Sequence, residues 1–460
     1  MLHLSIARSI ALLGVVASAT GRPQVAHPAG ATAPTLPAST PGPAPIDGAR
    51  PLIDDMEVTA LACAPGGRDC YAAGIAVGPV PAGPLVQDVI YSAGAVFAVS
   101  HDAGRTWVER ATARRPHAIP PSESRAMPWR DHTMLPTDFA ATSLTLDPTD
   151  PRTIYATGCT DGGADCRLTI PGHLLLRSTD AGRTWADALV YDAPVGTDPA
   201  SPLVRTTIGR TPAFVERARE GGAPTIATSV AIAPAAPAHI AACVAGIGVL
   251  TSADAGRAWR YPDQPVVPGS GCDVVDGSPD GRILYRTDRT SGREGGVQRS
   301  TDGGAHWATR SMLGVVPPGA SSNILVTGVS GPVVTGRTLA ATTRDGIYAS
   351  TDGGARWARL HGLPIGGALT AIVGSVRVGG GWVAAVAAAP PGREGLYGAR
   401  DGGAWGLVGA TDELGRAQGG ALDLPEMGGG RFPRLWANAP AHIVYTAGPY
   451  GGLYRWEVNL

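Results

Sequence analysis

The 460-residue chain contains no lysine; all 37 of its basic residues are arginine. A coding bias accounts for that absence. The formal net charge of −1 leaves no nucleic-acid footprint. Phenylalanine and tyrosine are few, 4 and 11, which argues against a long aromatic-lined glycan cleft. Strong helical periodicity is almost missing, and no G-x-S-x-G, H-E-x-x-H or P-loop motif occurs. The apolar run Ile10–Val16 is too short to span a bilayer. With Arg8 before it and Ala17-Ser18-Ala19 after it, residues 1–19 have the layout of a secretory signal. No cysteine follows that site, so lipoprotein attachment is not indicated.

Glycine and proline are abundant, 64 and 41 residues. Strand-like runs alternate with the turns, which predicts a turn-dense β protein rather than disorder. Residues 20–47 differ: rich in Pro, Ala and Thr and nearly uncharged, they predict an extended, disordered spacer. The remaining residues, 48–460, are read as one folded domain.

Five copies of one phrase punctuate that domain: Ser100–Trp107, Ser178–Trp185, Ser252–Trp259, Ser300–Trp307 and Ser350–Trp357, each S-x-D-[AG]-G-x-x-W. A damaged sixth copy is Asp401–Trp405. The last three intact copies begin at residues 252, 300 and 350, a period of about one four-stranded propeller blade. Each residue type has a structural task in a β-hairpin turn. Asp102, Asp180, Asp254, Asp302 and Asp352 can accept hydrogen bonds from turn N–H groups. Glycine supplies the positive φ, and serine a further local bond. Trp107, Trp185, Trp259, Trp307 and Trp357 open the return strands and offer apolar faces to a neighbouring unit. A catalytic or calcium-binding role for these aspartates is disfavoured, because chemistry needs one convergent site and these are scattered one per unit.

The phrase resembles the Asp-box, or BNR repeat, of sialidase-like β-propellers, and Leu146–Ala156 resembles the stretch common before an Asp-box. The resemblance covers nearly all of the chain after about residue 50. It implies an all-β propeller of four-stranded antiparallel blades. Counting units predicts seven blades, with strands starting near Val58, Thr142, Thr228, Gly271, Asn323, Leu369 and Leu435. Six blades is the alternative, as in sialidases. The seventh unit has no fourth strand, and residues 50–55 are candidates to supply it and close the ring.

Six cysteines suit an exported, oxidising setting. Spacing across turns predicts Cys63–Cys70 and Cys159–Cys166, which leaves Cys243 with Cys272. The intervals are too wide for paired zinc thiolates, so no metal and no cofactor is expected.

Blade topology places A–B turns and Asp-box turns on one face, and B–C loops and blade-to-blade links on the other. The long insertions 77–94, 113–138, 159–172, 192–224 and 412–434 all fall on the second face. The richest, 113–138, carries Arg114, Arg115, Trp129, Arg130, Asp131 and His132, forks and an aromatic platform suited to carboxylate or sugar recognition. The 192–224 insertion holds Arg205, Arg210, Glu216 and Arg217, with Ala213–Glu220 a possible helical turn. The [FY]-R-I-P motif that marks sialidases is missing, so the resemblance carries over no catalytic residue. Asp54, Asp55, Asp131 and Asp138 are the carboxylates a glycosidase pair would draw on. The expectation is an exported, monomeric, non-catalytic propeller that binds a protein or glycan on its loop-rich face. The alternative is a glycoside hydrolase, exo-sialidase-like or xyloglucanase-like. Neither reading involves nucleic acid or a membrane span.

Overall fold

The computed structural model describes residues 56–77, 92–110, 139–160, 172–192, 203–205, 227–244, 248–260, 274–276, 278–288, 296–310, 326–330, 339–343, 346–360, 362–363, 371–378, 380–387, 395–400, 403–410, 434–447, 453–458 and 460. Their regular structure is all-β apart from one 3₁₀ turn, Ala439–Ala441. The strands form seven antiparallel sheets, each a meander in chain order.

The first sheet holds β1 (Met56–Cys63), β2 (Cys70–Val77), β3 (Ser92–Ser100) and β4 (Val108–Arg110). The second holds β5 (Phe139–Leu146), β6 (Ile154–Thr160), β7 (Gly172–Ser178), β8 (Ala186–Asp192) and β9 (Leu203–Arg205). The third holds β10 (Ala227–Ile232), β11 (Ile240–Val244) and β12 (Gly248–Ser252), with Thr251 bridged to Arg260 in place of a fourth strand. The fourth holds β13 (Val274–Asp276), β14 (Leu284–Asp288), β15 (Gly296–Ser300) and β16 (Ala308–Arg310). The fifth holds β17 (Val326–Ser330), β18 (Leu339–Thr343), β19 (Gly346–Ser350) and β20 (Ala358–Arg359). The sixth holds β21 (Ala371–Val378), β22 (Gly381–Ala387), β23 (Gly395–Arg400) and β24 (Gly406–Ala410). The seventh holds β25 (Arg434–Asn438), β26 (Ile443–Ala447) and β27 (Leu453–Glu457).

Two departures from the sequence expectation stand out. The 192–224 insertion adds a fifth strand to the second sheet: β9 pairs with β8 through Val190↔Arg205, Tyr191↔Val204 and Asp192↔Leu203. An outer strand presents unpaired N–H and C=O groups, and a short β-prone run can take them. Its proposed helical turn, 213–220, lies outside the described residues, as do residues 50–55. Among the described residues the third sheet also has only the Thr251–Arg260 bridge at its fourth-strand position.

Apolar residues alternate towards neighbouring sheets, so each core is shared. Phe97, Val99, Phe139, Leu176 and Trp185 join the first two sheets. Leu174, Leu189, Ile232, Leu250 and Trp259 join the second and third. Leu61, Val96, Tyr445 and Leu453 join the first and seventh. The leading strands touch in succession, β1 with β5, β5 with β10, β10 with β13, β13 with β17, β17 with β21 and β21 with β25. β25 in turn touches β1. Thr142 Oγ1 and Thr145 Oγ1 stitch two leading strands by donating to Ala227 O (2.6 Å) and Val230 O (3.1 Å).

The disulfide expected between Cys63 and Cys70 is formed, across residues that are register partners at the end of the β1–β2 ladder. Cys243 is also disulfide-bonded. Cys272 and Cys166 lie outside the described residues. Among the described residues no helix is long and apolar enough to cross a membrane.

Candidate functional site

In an up-and-down sheet, connections alternate between the two strand ends. The hairpin connections at one end are short; 331–338 is the longest, and the five repeated turns all lie here. The strand ends joined by 78–91, 111–138, 161–171, 193–202 and 411–433 lie at the other end, whereas 206–226 leaves β9 at the repeated-turn end and leads to the start of β10 at the other. The sequence-predicted ligand residues Arg114, Arg115, Trp129, Arg130, Asp131 and His132 belong to 111–138, outside the described residues. Asp54, Asp55 and Asp138 also lie outside the described residues.

The repeated turns are fully described, and their polar groups are spent locally. Asp102 Oδ1 accepts from Ser100 Oγ (2.8 Å), Arg105 N (2.9 Å) and Thr106 N (2.9 Å), while Oδ2 accepts from Thr106 Oγ1 (2.6 Å). Ser100 Oγ in turn accepts from Gly104 N at 2.8 Å. Asp180, Asp254, Asp302 and Asp352 repeat the serine-to-aspartate bond at 2.8–2.9 Å. The tryptophan Nε1–H donates back to the turn glycine carbonyl in four copies; Trp259 instead donates to Ala188 O in the preceding sheet, at 2.7 Å.

Desolvation pushes the Asp102 carboxyl up, but the hydrogen bonds from Thr106, Ser100 and Arg105 outweigh it and hold the group at about 2. Asp302 is also held at about 2, chiefly by the His306 backbone N–H. Asp180, Asp254 and Asp352 are lowered for the same kind of reason. A carboxyl that ionised carries no proton to deliver near neutrality, and its lone pairs are occupied. These aspartates are therefore suited neither to general acid nor to general base chemistry.

Lowered aspartate values stabilise the folded chain above the ordinary value of 3.8, and this contribution is lost as pH falls through about 2. Acid titration followed by tryptophan fluorescence is expected to show the main loss of structure between about pH 4 and 2. Asp102→Asn with Asp302→Asn should flatten that dependence. Unfolding complete above pH 4 in the unaltered chain would contradict this assignment.

The fourth residue of each turn is the hub of a second set of bonds. Its N–H donates within the sheet: Ala103 N to Arg68 O, Ala181 N to Arg152 O, Ala255 N to Ala238 O and Gly303 N to Arg282 O, all at 2.8 Å. In three turns its carbonyl accepts from a tyrosine of the preceding sheet: Tyr155 Oη to Ala255 O (3.3 Å), Tyr285 Oη to Gly353 O (3.3 Å) and Tyr445 Oη to Ala103 O (2.7 Å). Each tyrosine lies across the ladder from an arginine: Arg177, Arg299 and Arg455. At the junction of the seventh and first sheets, buried Arg455 adds an Nε–H bond to the same Ala103 carbonyl, at 3.0 Å. Asn438 Nδ2 donates to Gly67 O there, at 2.7 Å.

These latch residues were missed by sequence reasoning. Their signal is visible afterwards: Tyr155, Tyr285 and Tyr445 each occupy an early position in a second strand, and Arg177 and Arg299 each directly precede the serine of the phrase. Among the described residues no three His, Cys, Asp or Glu side chains gather to hold a metal ion.

No family model matches the chain, and no curated protein matches it. Among solved structures it is similar to YCF48 bound to a D1 peptide, at 12% identity over 88% of this chain and 95% of that one, TM-score 0.47. It is similar to an ancestral GH74 enzyme at 15% identity over 89% of this chain, TM-score 0.48, and spans 46% of that enzyme's length. It is also similar to a catalytically inactive virginiamycin B lyase from Staphylococcus aureus, at 11% identity over 88% of this chain and 96% of that one, TM-score 0.49. These likenesses concern the arrangement of strands, and the neighbours' names transfer no ligand or chemistry to this chain.

Proposed function

We propose that the chain is an exported, non-catalytic, seven-bladed β-propeller of the Asp-box type that binds a protein or glycan on the strand ends bearing the long connections. The observation that carries this reading is the division between the two ends. On one, the repeated turns spend their polar groups on their own sheet and on the sheet before. The other is made of the strand ends joined by 111–138, whose sequence carries Arg114, Arg115, Trp129, Arg130 and His132, and by most of the other long connections. Long connections on one end of a rigid repeat scaffold are where binding residues concentrate. The succession of leading-strand contacts from β1 round to β25 supports the count of seven. The signal-like start and the Cys63–Cys70 bridge support export.

A glycan array probed with the full chain, run beside a panel of 4-methylumbelliferyl glycosides, tests the reading. Retention without fluorophore release is expected. Trp129→Ala and Arg130→Ala should each weaken retention about tenfold or more, a change of roughly 1.4 kcal/mol, and leave the melting temperature in place. Release of the fluorophore would move the chain to the glycoside hydrolases. Unchanged retention in both variants would remove residues 111–138 from the site.

A further inference from the structure

The Cys63–Cys70 bridge closes the β1–β2 ladder, and its two sulfurs meet different surroundings. Cys63 is only partly buried, packed at the margin of the core shared by the first and seventh sheets. Cys70 is 0% exposed within that core. Two polar groups of the seventh sheet reach its sulfur: Asn438 Nδ2 donates to Cys70 Sγ at 3.6 Å, and Tyr445 Oη lies 3.6 Å from it. Tyr445 spends its proton on Ala103 O. Asn438, itself buried, uses Nδ2 twice, on Gly67 O and on the sulfur. Its Oδ1 is buried with no hydrogen-bond partner among the described residues. A buried amide left half unsatisfied costs stability, and a bridged sulfur is a weak acceptor. The Asn438 amide gains its value when that sulfur carries charge, because hydrogen bonds to an ionised acceptor are the strong ones.

We infer that Cys63–Cys70 is an exchangeable disulfide, opened by a dithiol at the Cys63 sulfur, with Cys70 as the buried leaving group. One thiolate of the dithiol attacks Cys63 Sγ. The Cys63–Cys70 bond breaks and a mixed disulfide forms on Cys63. The electron pair leaves on Cys70 Sγ, where the Asn438 N–H meets it. The second thiolate of the dithiol then attacks the sulfur that its own molecule contributed to the mixed disulfide, and Cys63 is freed. Two electrons pass to the cysteine pair, the dithiol becomes a disulfide, and its two protons end on Cys63 and Cys70. Exchange is favoured by an accessible attacked sulfur and a stabilised leaving thiolate, and the two sulfurs are sorted that way.

Opening is felt at the junction of the first and seventh sheets. The bridge spans the turn 64–69, whose carbonyls hold both neighbours. Arg68 O accepts from Ala103 N at 2.8 Å, and Gly67 O accepts from Asn438 Nδ2 at 2.7 Å. The bridge fixes these acceptors in place, and its reduction frees them.

Limited reduction of the full, folded chain tests this, with the thiols alkylated by iodoacetamide and mapped by mass spectrometry. Dithiothreitol is expected to open Cys63–Cys70 while the bridge of Cys243, which sits in an apolar cluster, stays closed. The Ala103 amide should then exchange about tenfold faster than in the oxidised chain. Glutathione, a monothiol, should be trapped on Cys63 and not on Cys70. Asn438→Ala separates a helper of the leaving group from a mere brace. Loss of a bond to the departing thiolate should slow opening about tenfold or more, whereas looser packing alone would speed it. Glutathione on Cys70, opening only together with Cys243, or opening that is not slowed in Asn438→Ala overturns the exchange site. An Ala103 amide unchanged by reduction overturns its coupling to the junction. The glutathione result comes from the unaltered chain and holds whether or not the variant folds.

Discussion

Trp185→Ala is expected to lower stability by about 3–5 kcal/mol, the range for emptying a large aromatic site in a close-packed core. Trp185 is 1% exposed and meets Phe97 of the preceding sheet edge-on, with ring centroids 5.3 Å apart at 83°. Its Nε1–H also closes its own turn onto Gly182 O at 3.2 Å. One side chain thus holds the turn and joins two sheets, and the substitution empties both contacts. Urea unfolding measures the loss. Trp185→Phe should recover most of the packing but not the indole bond. A loss below about 1 kcal/mol for Trp185→Ala would mean that the first two sheets do not depend on this contact.

Gly182→Ala should approach the same size by the opposite route. Gly182 has φ +80° and lies against Phe97, whose Cε1 and Cζ a new Cβ would overlap. Left-handed backbone adds about 1–2 kcal/mol for an L residue, and forced overpacking about 1–3 kcal/mol. Phe97→Leu removes the obstructing atoms, so the double variant should be less destabilised than the two single changes together. Additive losses would show that the ring is not the obstacle. The neighbouring Ala181 already has φ +62°, as Ala103 and Ala255 have 59° and 60°. The fourth and fifth copies carry Gly303 and Gly353 at that place. Ala181→Gly should therefore be tolerated where Gly182→Ala is not, since glycine relieves the strain that alanine bears there.

The repeated phrase made the fold legible because its chemistry is local. Ser100, Asp102 and Gly104 satisfy one another within a few residues, so the sequence alone implies the turn, and the turn spacing implies the sheets. Strand starts near Thr228, Asn323 and Leu435 fall within a few residues of β10, β17 and β25 for the same reason. The latches were not legible. Tyr445 and Ala103 are 342 positions apart, and nothing in either neighbourhood names the other until the sheets are packed. β9 was hidden likewise, because Leu203–Arg205 becomes a strand only when β8 offers it an edge. The sequence implies a β-hairpin turn with its tryptophan turned to a neighbouring unit; what it does not imply is the role of the fourth residue, which at Ala103 and Ala255 binds both its own sheet and the one before.

The proposed ligand side follows a different logic. Residues 111–138 are irregular in pattern, and their arginines and Trp129 are recognised by residue type rather than by period. Nothing local dictates which of them converge, so the sequence suggests a class of ligand and not a geometry.

Amide hydrogen exchange in Tyr445→Phe addresses the central claim, that the turns at Ala103, Ala255 and Gly353 latch their sheets to the sheets before them. Loss of one hydroxyl in the seventh sheet is expected to speed exchange both in β26 and β27 and in the turn 100–107 of the first sheet, because Ala103 O loses its 2.7 Å bond. Faster exchange confined to the seventh sheet, with the Ala103 and Gly104 amides unchanged, would contradict the latch.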